Sequence, residues 1–125
     1  MVIALIVGAG GFIGAIARYG INSGFGRLLQ DQWLPYGTLT VNVVGCLLIG
    51  LVAGLIDDKQ IGGGELRAFV LIGILGGFTT YSAFGYETIN LIRDGNISAA
   101  IVNIATQIVL GLGAVWIGYK LATVA

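Results

Sequence analysis

The sequence predicts an all-α membrane protein of four transmembrane helices, the third broken at its middle, pairing as an antiparallel, dual-topology dimer. Three observations carry this expectation. Hydrophobic residues make up 57% of the 125 positions and charged residues only 10%, more apolar surface than a soluble domain hides. The few charges fall between long apolar runs instead of alternating with them. The six Lys and Arg also divide evenly between the two faces that those runs define. At about 20 residues per crossing of a hydrocarbon layer ~30 Å thick, the chain has room for four or five spans, and a single transmembrane domain over 1–125 is expected.

The first span is read at 2–20. Apolar residues run nearly unbroken from Val2 to Ala17 and stop at Arg18. The opening MVIALIVGAG lacks a basic leader and a clear cleavage pattern, so it reads as a span and not as a signal peptide. A polar, glycine-rich loop containing Pro35 follows. The second span, 37–56, carries no charge until Asp57, Asp58, Lys59 and Gln60 stop it. The third, 66–92, is longer than a straight crossing needs, and its middle explains the excess. GGFTTYSAF, from Gly76 to Phe84, sets two glycines beside Thr79, Thr80 and Ser82 at bilayer depth. A break there, expected at 76–80, must face protein or water, because lipid offers nothing to freed backbone groups. Arg93, Asp94, Gly95 and Asn96 lead to the fourth span, 97–119, which ends at Lys120. Gly10 and Gly14, Gly50 and Gly54, and Gly73 and Gly77 stand four apart, the spacing through which helices approach closely in lipid.

Lys59, Arg67 and Lys120 fall on the side of the termini, and Arg18, Arg27 and Arg93 on the other. The positive-inside rule then gives no preferred orientation. A chain inserted both ways can pair about a two-fold axis in the membrane plane, doing with two copies what inverted repeats do within one chain.

Several function classes are excluded. A formal net charge of zero leaves no basic stripe for nucleic acid. Cys46 is the only cysteine, so no intrachain disulfide forms. With no His, and with Asp57 and Asp58 as the only adjacent carboxylates, reading as a solvated helix stop, an enzyme is not expected. VGAGGFIG, Val7 to Gly14, matches a dinucleotide-binding fingerprint with Asp31 beyond it, but the strands and helices of a nucleotide-binding sheet do not follow. Small multidrug transporters are the nearest alternative, being four-helix chains that insert both ways. Proton-coupled export of cations needs a carboxylate within the first helix, and this one has none.

The polar residues left at membrane depth are Thr38, Thr40, Asn42, Thr79, Thr80, Ser82, Asn103, Thr106 and Gln107. Nearly all are neutral donors. Asn42 reads equally well as an interhelical bond or as part of a polar path. Asn103 and Gln107, four apart, share one face of the fourth helix. Tyr81 and Phe84, three apart, turn to one side, where positive ring edges together with hydroxyl and amide donors suit a small hard anion.

Taken together, Arg18, Gly37-Thr38-Leu39-Thr40-Val41-Asn42 and Gly76-Gly77-Phe78-Thr79-Thr80-Tyr81-Ser82-Ala83-Phe84 resemble the Fluc (CrcB) family of fluoride channels over essentially the whole chain. The resemblance implies a passive, selective channel in the plasma or inner membrane, with two pores per antiparallel dimer, that exports cytoplasmic fluoride and so protects against its toxicity. It implies that Asn42 lines the pore, that Thr80 and Ser82 offer hydroxyls, and that Tyr81 and Phe84 form an aromatic box. It places Glu87 near one pore end, Arg18 in a positive vestibule or as an interfacial anchor, and Asn103 on the helix-four side of the pore. It also implies a structural sodium ion at the dimer centre, held by the backbone carbonyls of Gly76 and Thr79 from both subunits. Tyr81 stands where the family usually has Phe, and Ala83 where a hydroxyl is usual. These departures leave a heterodimer with a paralogue as the alternative to the homodimer that balanced charges favour.

Overall fold

The computed structural model describes residues 1–124, which are helical apart from short connections. Four α-helices, α1 (Val2–Leu28), α2 (Tyr36–Lys59), α4 (Tyr81–Arg93) and α5 (Ile97–Val124), are joined by a composite α3. That element strings together Gly64–Arg67, a wider π-wound stretch Ala68–Leu75 and Gly76–Phe78. Counting α3 and α4 as one bent crossing, four helical segments are long and apolar enough to cross a membrane.

The side chains are arranged for lipid. Leu5, Phe12 and Ile16 on α1 and Leu112 and Trp116 on α5 are exposed, whereas the buried core holds Val41, Ala99, Ala100, Ala114 and Ala122. Since lipid tails are as apolar as Leu, helices gain little by hiding large residues and associate through close backbone contact instead. Glycines provide it in two pairings. Where α1 meets α3, a Cβ on Gly10 would lie 2.9 Å from the Cα of Gly73, and one on Gly77 2.7 Å from the carbonyl of Gly11. Where α2 runs parallel to α5, a Cβ on Gly54 would lie 2.7 Å from that of Ala122, and one on Gly50 would run into the carbonyl of Val115. The spaced glycines of all three predicted pairs are therefore contact points between helices.

Three details differ from the expectation. First, α1 continues past residue 20 to Leu28 through Gly20, Gly24 and Gly26, where an added Cβ would meet nothing within 4 Å. Gln32 folds back at its end, and Nε2 donates to the carbonyl of Leu29 and to that of Phe25, which also accepts the Leu29 N–H, close to the carbonyls that a helix terminus leaves without helical partners. Second, the glycine pair does not break the third span. Gly76–Phe78 stay helical and the interruption is Thr79–Thr80, both extended (φ −84°, ψ 158° and φ −150°, ψ 121°). Gly77 packs on α1 instead. Third, Arg18 does not end the first helix but stands within it, and its Nη1 reaches the interruption, donating to the Thr79 carbonyl. Left out of the charge count, Arg18 leaves Lys59, Arg67 and Lys120 against Arg27 and Arg93, an excess of one.

Candidate functional site

Where the helix opens, the Thr79 N–H still donates to the Leu75 carbonyl at 3.1 Å, but the Thr80 N–H and the carbonyls of Thr79 and Thr80 lose their helical partners, which lipid cannot replace. Side chains from elsewhere replace them. Asn42 clasps Thr80 from both sides: its Oδ1 accepts from the Thr80 N–H at 2.8 Å, and its Nδ2 donates to the Thr80 carbonyl at 3.0 Å. Arg18 Nη1 donates to the Thr79 carbonyl at 3.2 Å. The Thr80 hydroxyl caps α4 by accepting from the Ala83 N–H at 3.2 Å, and it lies 3.3 Å from Ser82 Oγ. The N–H groups of Tyr81 and Ser82 stand in the first turn of α4, where a helix provides no partner and its dipole is positive.

This break opens into a cavity of about 300 Å³ lined by Asn42, Thr79, Thr80, Tyr81, Phe84 and Gln107. The rings of Tyr81 and Phe84 pack with centroids 5.6 Å apart, tilted by 60°. Tyr81 is 84% exposed, so its ring faces away from the chain. Across the cavity, Asn42 Nδ2 makes a second donation, to Gln107 Oε1 at 3.0 Å.

One turn away along both α2 and α4, the hydroxyl of Thr38 donates to Glu87 Oε1 at 2.7 Å. Thr38 is only 1% exposed. Beyond this contact lies a second, polar cavity of about 200 Å³, bordered by Asn22, Gln32, Thr38 and Glu87. Polar groups thus follow one another from the break, past Asn42 and the Thr38–Glu87 contact, toward the loop that joins α1 to α2.

Of the residues singled out from sequence, Arg18, Asn42, Thr80, Tyr81, Ser82 and Phe84 converge at the break, and Glu87 sits one turn beyond. Asn103 does not line either cavity. It is 0% exposed, and its Nδ2 donates to Thr88 Oγ1 at 3.0 Å, which in turn donates to the Phe84 carbonyl at 2.7 Å. It ties α5 to α4 from behind. Gly76 and Thr79 each lose the donor that a continuous helix would give them: Thr80 N–H goes to Asn42, and Ala83 N–H to the Thr80 hydroxyl. Gly76 is exposed at the surface of the chain. Carbonyl oxygens suit a hard cation, although that of Thr79 already accepts from the Arg18 guanidinium, and among the described residues no group of three or more His, Cys, Asp or Glu side chains is placed to hold a metal. Sequence reasoning set Gln107 beside Asn103 on one face of the fourth helix and Thr38 within the motif that opens the second, without their hydrogen-bond partners. Their partners are 65 and 49 positions away, and no local pattern announces such contacts.

Compared with known proteins, residues 5–119 match the family model "CrcB-like protein, Camphor Resistance (CrcB)". The fluoride-specific ion channel FluC of Clostridium novyi (strain NT) is 41% identical over 124 residues, 99% of this chain and 96% of that one. Fluoride-specific ion channel FluC 1 of Nitrobacter hamburgensis is 42% identical, covering 96% and 94%. The FluC of Paracoccus denitrificans is 46% identical, covering 91% and 89%.

Proposed function

This chain belongs to the CrcB-like family, and on that premise we propose that it is a passive, highly selective fluoride channel. In this reading it sits in the inner or plasma membrane, exports cytoplasmic fluoride and so protects against fluoride toxicity. The observation that carries the reading is the Thr79–Thr80 break, which opens into a largely apolar cavity where Asn42, Thr80 and Gln107 and the rings of Tyr81 and Phe84 meet Gly45, Cys46, Ile49 and Ile108. Relatives that match nearly the whole chain carry the name fluoride-specific ion channel.

Fluoride is the smallest halide and the strongest acceptor among them, so it gains most from close, uncharged donors. The first turn of α4 offers N–H groups at a positive helix end, and Thr80 and Ser82 add hydroxyls. The edges of Tyr81 and Phe84 carry positive partial charge. Asn42 borders the same space. Arg18, hydrogen-bonded at the break, raises the local potential for an anion. Glu87 marks the far end of the polar line, and Asn103 backs it.

A second copy inserted in the opposite sense completes the molecule as a homodimer with two pores, a heterodimer with a paralogue being the alternative. The exposed Tyr81 ring and the exposed Gly76 at the break support this reading, since both then meet the other copy. The carbonyls of Gly76 and Thr79 from both copies hold a sodium ion there. When bound, the ion supplies a fixed positive charge between the two breaks.

Efflux from liposomes that contain the purified protein tests the function. With sodium present, fluoride leaves rapidly, as read by a fluoride electrode, while chloride loss stays at the level of protein-free liposomes. Folded dimer that releases no fluoride, or that releases chloride as fast, refutes the proposal.

A further inference from the structure

We propose that the hydrogen bond between Asn103 and Thr88, which lies outside the cavity, sets how far apart Phe84 and Gln107 stand across it, so that Asn103 and Thr88 are positioning residues for conduction. The inference rests on the fluoride-channel reading and concerns what holds the walls of the pore in place. α4 and α5 fold back on each other across the short turn at 94–96. Thr88 is the one buried residue of α4, and it meets α5 at Asn103. Asn103 shares its helix face with Ala99 and Ala100, which are buried as it is.

Phe84 comes one turn before Thr88 on α4, and Gln107 one turn after Asn103 on α5. Those two residues border the cavity from its two sides. The Thr88 hydroxyl accepts from Asn103 Nδ2 at 3.0 Å and donates to the Phe84 carbonyl at 2.7 Å, so the tie ends on the residue that carries the ring. α4 is joined to α2 by the Thr38–Glu87 contact, and its cap Thr80 is held by Asn42. Between α4 and α5, Asn103–Thr88 is the only side-chain hydrogen bond among the described residues. Asn103 is also kept at a cost. Its Oδ1 is buried with no partner, and an acceptor left unmade is destabilising, so an apolar residue would serve better if packing were all this position did. Attraction between a small anion and its donors weakens steeply with distance and angle. An α4 free to swing from α5 therefore carries the Phe84 ring edge out of reach and slows conduction.

Thr88→Val keeps the shape of the side chain and removes the hydroxyl, whereas Thr88→Ser keeps the hydroxyl. Each variant is purified as the full-length dimer, its melting temperature is recorded, and fluoride efflux from liposomes is expressed per folded dimer. Thr88→Val is expected to slow efflux about fivefold, the scale of one neutral hydrogen bond, and Thr88→Ser to keep the unsubstituted rate. A Thr88→Val dimer that melts lower yet conducts at the unsubstituted rate makes the tie structural only and overturns the proposal. Equal losses in Thr88→Val and Thr88→Ser overturn it too, since the hydroxyl then does not matter. If Thr88→Val gives no folded dimer, Asn103→Ala decides, because it leaves the Thr88 hydroxyl its bond to the Phe84 carbonyl: a fivefold loss supports the proposal and an unsubstituted rate overturns it. A lack of efflux from the unsubstituted protein instead removes the channel reading and this inference with it.

Discussion

Asn42 makes three hydrogen bonds with one amide: two replace what Thr80 loses where the helix opens, and the third reaches Gln107 on the last helix. Replacing it with Asp keeps the acceptor and removes both donors, so the Thr80 carbonyl and Gln107 Oε1 then face a carboxylate that is itself in the anion path. Asn42→Asp is expected to cut fluoride efflux by about tenfold or more, the factor that goes with roughly 1.4 kcal/mol of added barrier; efflux equal to that of the unsubstituted protein would take Asn42 out of the site. At this scale the sequence was readable in part. Asn42, Thr80 and Phe84 stood out because polar and aromatic residues at membrane depth need partners, and the structure brings them to one cavity. The Asn42–Gln107 and Thr38–Glu87 contacts were not legible, because each joins two different helices. Asn103 looked like a match for Gln107 on one helix face, yet its partner Thr88 points it away from the cavity.

Among the elements, the four spans were legible from apolar length and charge stops, since a hydrocarbon layer sets how long a run must be. Glycine spacing likewise foretold which faces meet. The same residue misled where it stood for flexibility: Gly20, Gly24 and Gly26 lie within α1, and Gly76 and Gly77 within α3. Unbranched backbone continues a helix readily when the hydrogen bonds are available and the end is capped, as Gln32 does for α1. The break falls instead at two β-branched threonines, where Asn42 offers the backbone an alternative partner. The π-wound stretch Ala68–Leu75 has no counterpart in the apolar pattern, which reads the same for any helix winding. Close packing also makes these contacts fragile. A Cβ at Gly14 would run into the carbonyl of Ile74 and come within 2.7 Å of the Phe78 N–H. Gly14→Leu is therefore expected to destabilise the protein in detergent by about 1–3 kcal/mol or more, as overpacking does, measured by thermal unfolding. An unchanged melting temperature would show that α1 and α3 do not pack as described.

For the molecule as a whole, orientation follows from few charges. With Arg18 hydrogen-bonded to Thr79 and left out of the count, Arg27 and Arg93 oppose Lys59, Arg67 and Lys120, and an excess of one leaves insertion nearly unbiased. A reporter fused to the C-terminus is expected on both sides of the membrane, and Arg18→Gln is expected to leave that ratio unchanged; a reporter found on one side alone would contradict a dual-topology dimer. The sequence pointed to this architecture through its balance of charge, but the side on which a residue acts depends on depth, which the helix break and not the count reveals. The central claim is a passive pore that passes fluoride, and the most direct test is the reversal potential of the purified protein in a planar bilayer. With a tenfold fluoride gradient, equal chloride and equal pH on the two sides, the account predicts a current that reverses at about 59 mV, the value for a single monovalent ion. Reversal near zero, or one that follows an imposed proton gradient instead of the fluoride gradient, would contradict it.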